Sequence, residues 1–263
     1  MDLGLKNKIA LVAAASQGLG RAVAEELAGE GTSLVLCARG VETLKQTADQ
    51  IREKTGATVL AVPADVANAA DVRNLVRRGL EEFGHIDILV TNAGGPPTGQ
   101  FESLTNETWE AAMRLTLFST LELTRQVLPG MKEQCWGRIL NITSIAVKQP
   151  VENLMLSNSL RAAVTGLART LANEVAKYGI TVNNILPGYT LTDRVEELAE
   201  TLAQKEGIKA NEILERWQQE IPMRRLGQPR EFAALAAFLV SERASYITGT
   251  SMQVDGGWIK SLL

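Results

Sequence analysis

The sequence predicts an α/β fold: a doubly wound parallel sheet of about seven strands with helices on both faces. Short runs rich in Val, Ile and Leu alternate with longer amphipathic segments, a pattern typical of βαβ units. A glycine-bearing turn directly follows the first apolar run. The 263 residues show no composition break or Pro/Ser-rich linker. We therefore expect a single domain over residues 1–263, since this length suffices for one sizeable core.

Seven apolar runs are the expected strands, and helical patterns fill the intervals between them. In the first unit, Val23 and Leu27 give residues 20–29 helical spacing, and Gly31 ends that helix. The predicted strands are 8–14, 33–37, 57–62, 87–91, 138–142, 181–186 and 251–254.

Residues 193–227 depart from this alternation, because they contribute two polar helical pieces and no strand. The first piece ends before Gly207 and the second ends at Pro222. Two alternatives stay open: a lid over a binding site, or a solvated pair of surface helices. Three side chains of this segment either line a pocket or hold the two helices together: Leu198, Ile213 and Trp217.

Charge and composition favour a small-molecule partner. With 27 basic and 30 acidic residues, the formal net charge is −3 and no basic block is present. We therefore expect no binding to nucleic acid or to a membrane surface. No run approaches the roughly 18 to 20 uncharged residues of a membrane span, and the first ten residues lack the layout of a signal peptide. The expected location is the cytoplasm.

Few residues are available for metal or nucleophilic chemistry. Cys37 and Cys135 lie far apart in the sequence, and His85 is the one histidine. This composition excludes zinc clusters, disulfide frameworks and histidine-based triads. Three tyrosines complete the set.

The turn after the first strand, residues 13–20, contains Gly18 and Gly20. Glycines at the mouth of a helix let the backbone approach a pyrophosphate, whose charge is held by free N–H groups and the positive helix end. The turn lies between a buried strand and an amphipathic helix, which is the context that a dinucleotide-binding turn requires. The alternative is that the glycines serve only close packing of helix against strand.

The end of the second strand indicates which nucleotide binds. An acidic side chain there would hold a ribose 2′-hydroxyl, as NAD requires, but this strand ends in Ala38 and Arg39. A guanidinium suits a 2′-phosphate. We therefore expect NADP(H) to be preferred, with NAD(H) as the alternative. Asp65 and Asn92 follow the next two strands, at the sheet edge where such folds bind ligands.

Six short segments together resemble one known family, the classical short-chain dehydrogenases/reductases, from about Leu5 to Trp258. The overall pattern is most similar to that of 3-oxoacyl-acyl-carrier-protein reductases. The segments are the turn at 16–20, Asp65-Val66, Asn92-Ala93-Gly94, Ile142-Thr143-Ser144, Pro187-Gly188 with Thr192, and Asp255-Gly256-Gly257.

The resemblance implies a Rossmann-like fold, nicotinamide-dependent reduction of a carbonyl or oxidation of an alcohol, and a homo-oligomer, either a tetramer or a dimer. The cofactor-binding residues that it implies are Ala14, Ser16, Gln17, Gly18, Leu19, Gly20, Arg39, Asp65, Val66, Asn92, Gly94, Arg161, Pro187, Gly188 and Thr192.

The resemblance also implies four catalytic positions: a serine, a tyrosine thirteen residues later, a lysine four residues after that, and an asparagine on the preceding helix. In the family, the lysine ammonium lowers the tyrosine pKa from about 10 towards working pH. Ser144 matches the serine. The other three positions carry Ser157, Arg161 and Thr116.

These replacements differ in their chemistry. The oxygen of Ser157 is a weaker acid than a phenol and stops about 4 Å short of the phenol position, a gap that fits a water molecule. Arg161 keeps the positive charge and can bond ribose hydroxyls, but it does not pass on a proton, as a lysine ammonium can. We therefore expect cofactor binding to be less affected than turnover.

Tyr189 is the strongest candidate for a substitute proton donor, because it directly follows Pro187-Gly188, which in the family lies beside the nicotinamide. The alternative is that Tyr189 forms a wall of the site. Lys148 is a weaker candidate, and His85 is expected to be structural. The remaining two tyrosines fall in segments that the family uses for packing: Tyr178 and Tyr246.

Three functional hypotheses follow. The first is an NADP(H)-dependent oxidoreductase in which Ser144, a water held by Ser157, and Arg161 orient a carbonyl and stabilise its oxyanion. The second is a catalytically silent nucleotide-binding protein that acts as a sensor or as a partner subunit. The third is an α/β domain for another phosphorylated ligand, which the features at Arg39 and Asn92 disfavour.

Overall fold

Seven parallel strands form one sheet in the computed structural model, which describes residues 2–262. The strands are β1 (Ile9–Val12), β2 (Ser33–Ala38), β3 (Val59–Pro63), β4 (Ile88–Thr91), β5 (Gly137–Ile142), β6 (Ile180–Pro187) and β7 (Ser251–Val254). Their order in the sheet is β3-β2-β1-β4-β5-β6-β7. Because β1 pairs with β2 on one side and with β4 on the other, the winding direction reverses there and opens a crevice.

Helices cover both faces of this sheet. Within residues 2–262 they are α1 (Gly18–Gly29), α2 (Val41–Thr55), α3 (Ala69–Phe83), α4 (Asn106–Met113), α5 (Ser119–Glu133), α6 (Met155–Val175), α7 (Asp193–Glu206), α8 (Ala210–Glu220) and α9 (Pro229–Leu239). A π-helical turn, Arg114–Phe118, joins α4 to α5.

The apolar residues of each strand supply two separate cores. On β1, Val12 packs in the core with Leu27 of α1 and Phe232 of α9, whereas Leu11 packs with Leu75 of α3 on the opposite face. Successive side chains of a strand point to opposite faces, so a strand covered on both sides is apolar throughout. This burial explains the continuous apolar runs from which the strands were predicted.

The structure confirms the predicted fold class, and each predicted strand is found: β7 has the predicted bounds and the others have bounds shifted by one or two residues. The first strand is shorter than the predicted 8–14, because residues 13–17 already form the turn into α1. The third strand starts at Val59 rather than at residue 57. No helix of the described residues is long and apolar enough to cross a membrane.

Residues 193–227 form α7 and α8, which pack on each other outside the sheet. Ile213 and Trp217 of α8 are buried against Ala199 and Ala203 of α7. These two predicted residues therefore hold the helices together. A single bridge between Thr190 and Gly227 closes the segment onto the end of β6.

Candidate functional site

A cleft of about 770 Å³ opens at the carboxyl ends of the strands. It extends along the ends of six neighbouring strands, from β3 to β6, which is roughly 24 Å of sheet edge. Apart from Gly20, every residue predicted to bind a cofactor lines it: Ala14, Ser16, Gln17, Gly18, Leu19, Arg39, Asp65, Val66, Asn92, Gly94, Arg161, Pro187, Gly188 and Thr192.

The turn from β1 into α1 provides a backbone cradle at the centre of this cleft. Gly18 has a φ of 59°, in the left-handed region that glycine adopts without strain. It is the first residue of α1, so free N–H groups at the positive end of the helix face the cleft. This arrangement suits an anionic group such as a pyrophosphate.

Gly20 does not line the cleft, unlike the other residues predicted to contact the cofactor, and the structure shows a packing constraint at this position. A Cβ at residue 20 would lie 2.3 Å from the carbonyl oxygen of Ala14 and 2.9 Å from Nδ2 of Asn92. Glycine is therefore needed so that α1 can approach the turn. The amide of Asn92 donates a hydrogen bond of 3.4 Å to the same Ala14 oxygen, which ties the end of β4 to the turn.

The end of β2 presents a free positive charge to the cleft. Arg39 is exposed, lines the cleft and has no ion-pair partner among residues 2–262. Asp65 also lines the cleft, and its Oδ1 accepts a hydrogen bond from the Ala67 N–H, which shapes its own turn. The guanidinium of Arg39 is therefore available for a phosphate.

Two serine hydroxyls face the opposite end of the cleft. Ser144 follows β5, and its Oγ accepts a hydrogen bond of 3.1 Å from the Ala146 N–H. Ser157 lies in the first turn of α6, and its Oγ accepts a bond of 3.2 Å from Nε of Arg161. Each oxygen is thus already an acceptor, which leaves its own O–H available to donate to a ligand.

The side chain of Arg161 lines the cleft and is also hydrogen-bonded to the end of β5. Its Nη1 donates to the carbonyl oxygens of Ile142 at 3.0 Å and of Thr143 at 2.7 Å. Burial, and then the charge of Arg194, lower the pKa of Arg161 to about 10. The guanidinium stays charged at neutral pH and positions both Ser157 and the strand end.

Thr116 lies behind the cleft, in the π-helical turn. Its hydroxyl and that of Thr143 face a separate cavity of about 10 Å³, which Arg161 also lines. Neither hydroxyl has a hydrogen-bond partner within residues 2–262. A space of this size holds about one water molecule.

Tyr189 points away from the cleft. Its ring stacks on Trp217 at 4.5 Å between centroids and meets Trp258 edge-on at 6.0 Å. Burial, and then the nearby charge of Glu220, raise the pKa of Tyr189 to about 12. The other two tyrosines do not line the cleft either. Tyr178 packs on the face covered by α3 and α5, and Tyr246 is fully exposed.

Comparison with known proteins decides the family of this chain. A family model described as Enoyl-(Acyl carrier protein) reductase matches residues 13–259. The 3-oxoacyl-(acyl-carrier-protein) reductase FabG of Haemophilus influenzae is 34% identical over 253 residues, 96% of this chain and 98% of the relative. The chain is a member of the short-chain dehydrogenase/reductase family.

Other members of the short-chain dehydrogenase/reductase family match over the full length. The NADPH-dependent reductase BacG of Bacillus subtilis is 31% identical, over 98% of this chain and 100% of the relative. The solved structure of L-sorbose reductase from Gluconobacter frateurii, complexed with NADPH and L-sorbose, has a TM-score of 0.95 and 36% identity. It covers 100% of both chains.

Arg194 is a cleft residue of this short-chain dehydrogenase/reductase that the sequence reasoning missed. It lies in the first turn of α7, and its neighbours Asp193, Glu197 and Leu198 line the cleft as well. Leu198 is thus the one of the three predicted apolar residues that borders the cleft. The signal that the sequence offered was a positive charge at the start of the first helical piece of residues 193–227. It could not be distinguished from a solvated surface charge.

Lys148 and His85, the two other residues considered in the sequence analysis, form contacts outside the cleft. Nζ of Lys148 donates a hydrogen bond of 2.9 Å to the side chain of Gln253. Nε2 of His85 lies 3.2 Å from a carboxylate oxygen of Asp87, a buried residue that also accepts from the Ile9 N–H. Neither lines the cleft.

We expect ultraviolet titration of the folded protein to show one phenol that ionises near pH 12, and the Tyr189→Phe variant to lose that step. The raised pKa means that folding favours the neutral phenol, so this stabilising contribution is complete below about pH 10 and declines between about pH 10 and pH 12. The Tyr246→Phe variant, changed at an exposed site, should keep the step. Loss of a lower step in Tyr189→Phe would contradict the packing described.

Proposed function

We propose that this protein is an NADP(H)-dependent oxidoreductase that reduces a carbonyl, or oxidises the corresponding alcohol, on a small molecule. The observation that carries this proposal is the pair of hydroxyls on Ser144 and Ser157. Both oxygens already accept a hydrogen bond and both line the cleft that begins at the glycine turn. Preorganised donors of this kind stabilise negative charge that develops on oxygen.

The residues of the cleft fit a nicotinamide dinucleotide. The turn at Gly18 would hold the pyrophosphate and Arg39 the 2′-phosphate, while Pro187, Gly188 and Thr192 would border the nicotinamide. When bound, NADPH supplies a hydride to the carbonyl carbon. The other proposed cofactor contacts are Ala14, Ser16, Gln17, Leu19, Asp65, Val66, Asn92 and Gly94.

The two serines would hold the carbonyl oxygen. Their O–H groups donate to it while Arg161, bonded to the oxygen of Ser157, adds a positive charge beside the developing oxyanion. The alkoxide then takes its proton from Ser157 or from a water held next to it, and solvent replaces that proton. Arg161 does not itself give up a proton, because its pKa is still about 10. Tyr189, stacked on Trp217, is not the proposed donor.

A screen of carbonyl compounds tests the function. NADPH oxidation should be measurable with at least one ketone, 3-oxoacyl thioester or quinone, while titration of NADPH fluorescence confirms that the cofactor binds. Bound cofactor with no turnover across all three classes would overturn the proposal.

For the cofactor, we expect the Arg39→Asp variant to bind NADPH at least about tenfold more weakly, since it loses a charge-assisted bond to the 2′-phosphate and gains a repulsive charge. NADH, which lacks that phosphate, is the internal control and should bind no worse than to the wild type. Titration of nicotinamide fluorescence measures both. Tight binding of NADH with none for NADPH by the wild type would contradict the assignment of Arg39.

A catalytically silent nucleotide-binding protein is the second candidate. Two observations favour it: no tyrosine lines the cleft, and Nη1 of Arg161 is engaged by the carbonyls of Ile142 and Thr143.

The Ser157→Tyr, Arg161→Lys double variant separates the two candidates. We expect the wild type to oxidise NADPH and the double variant to do so more slowly, because the change removes the Ser157 donor and the anchoring of β5. Steady-state assays with the same carbonyl panel measure the rate of NADPH oxidation by each protein. Activity that appears only in the double variant would instead favour the silent protein.

We also propose a homo-oligomer, a dimer or tetramer, located in the cytoplasm. The family resemblance supports the assembly. So do Phe101 and Phe118, two exposed aromatic side chains near α4 and α5. Light scattering of the purified protein tests the subunit number.

A further inference from the structure

Arg194 lies flat over a glycine at the rim of the cleft. Its Nη2 and Nε are 3.3 Å and 3.4 Å from the place where a Cβ of residue 95 would be. A Cβ at residue 95 would therefore make a tight contact with the guanidinium, so the glycine leaves room for Arg194. This contact joins the first turn of α7 to the segment that follows β4, and both residues line the cleft.

The positive charge of the Arg194 guanidinium is only weakly balanced by a carboxylate of the protein. Within residues 2–262 its ion-pair partner is Glu197, at 3.6 Å between Nη1 and Oε2, and both side chains are more than half exposed. Exposed pairs of this kind contribute little to stability. Nε and Nη2 have no acceptor among the described residues.

Arg161 adds a second positive charge to the same end of the cleft. It forms no ion pair within the described residues, and its hydrogen bonds go to neutral oxygens. Arg161 and Arg194 line the same cleft, and the positive charge of Arg194 lowers the pKa of Arg161 further. The carboxylates facing this end are Asp193 and Glu197. Glu197 pairs with Nη1 of Arg194, so Nε and Nη2, which have no acceptor among the described residues, are the donors that remain for an anionic group.

We propose that the substrate carries an anionic group, a carboxylate or a phosphate, and that Arg194 binds it while Ser144 and Ser157 hold its carbonyl. This inference rests on the proposed function. The cofactor offers the same chemistry through its phosphates. The glycine turn and Arg39 already suit those phosphates, and Arg194 is a further cation that lines the same cleft.

Calorimetry with matched acids and methyl esters tests this proposal without requiring turnover. The probes are pyruvate, acetoacetate and levulinate, each paired with its ester and titrated into the protein saturated with NADP⁺. The three acids place the carboxylate at increasing distance from the carbonyl. We expect at least one acid to bind about tenfold more tightly than its ester, as a charge-assisted pair provides.

Three variants locate the effect. Arg194→Gln should remove the preference for the acid and leave the NADPH dissociation constant unchanged. Glu197→Gln should strengthen the preference, because it removes the competing carboxylate. Arg216→Gln is the matched control: Arg216 on α8 is 51% exposed against 52% for Arg194, pairs with Glu206, and lies outside the cleft. It should retain the preference.

The proposal is overturned if no acid is preferred by the wild type, or if Arg194→Gln keeps the preference. A tenfold loss of NADPH affinity in Arg194→Gln would assign the guanidinium to the phosphates of the cofactor and would also overturn it. Failure of the proposed function looks different, because the acid would still bind preferentially while no carbonyl oxidised NADPH.

Discussion

The Ser144→Ala variant is expected to lose about two to three orders of magnitude in kcat/KM for carbonyl reduction, the loss typical of removing one oxyanion donor. The Oγ of Ser144 accepts from the Ala146 N–H and lines the cleft, so its O–H is available to donate to a ligand there. Its removal affects the developing oxyanion more than the bound ground state, so kcat should fall more than KM rises. Steady-state assays on the best substrate of the screen measure this.

A matched control separates this catalytic effect from the loss of a turn cap. Ser241 also caps a 3-10 turn, since its Oγ accepts from the Arg243 N–H at the same distance of 3.1 Å; it is buried, donates to the Phe238 carbonyl oxygen, and lies outside the cleft. Both alanine variants should lose about 0.5–2 kcal/mol of unfolding free energy, whereas Ser144→Ala alone should lose activity. An equal drop in kcat/KM for Ser241→Ala would show that the effect is structural.

The Gly20→Ala variant is expected to destabilise the fold by about 1–3 kcal/mol and to weaken NADPH binding at least about tenfold. The new methyl group would overlap the Ala14 carbonyl and the Asn92 amide, so α1 must move away from the turn. Chemical denaturation and fluorescence titration give the two values.

Gly29 provides the control on the same helix, because a Cβ there meets nothing within 4 Å. Gly29→Ala should stabilise the protein by about 0.4–1 kcal/mol by restricting the unfolded chain, with NADPH affinity unchanged. Equal stability of the Gly20→Ala and Gly29→Ala variants would contradict the close approach of α1 to Ala14.

The fold and the general place of the site were predictable because they depend on local patterns. Each βαβ unit encodes its own periodicity, and parallel strands bring their carboxyl ends to one edge whatever the loops contain. The turn at Gly18 and the positions of Arg39 and Ser144 therefore fall in one cleft without further information.

The direction of individual side chains was not predictable in the same way. Tyr189 follows a turn that borders the cleft, yet its ring turns to Trp217, 28 residues later, where stacking buries it. Arg161 has the charge of the family lysine, but its longer, planar fork reaches the carbonyls of residues 142 and 143. Both outcomes depend on partners brought together only by packing.

The sequence by itself determined a seven-stranded α/β fold, a glycine turn between the first strand and helix, and a serine and an arginine at the positions where the family resemblance implies tyrosine and lysine. Only the tertiary structure decided that Gly20 serves packing, that Tyr189 faces away, and that Arg194 enters the cleft over Gly95. The physical reason is that periodicity and backbone conformation are local properties. A side chain instead takes the direction in which distant segments bury its apolar surface or bond its polar atoms.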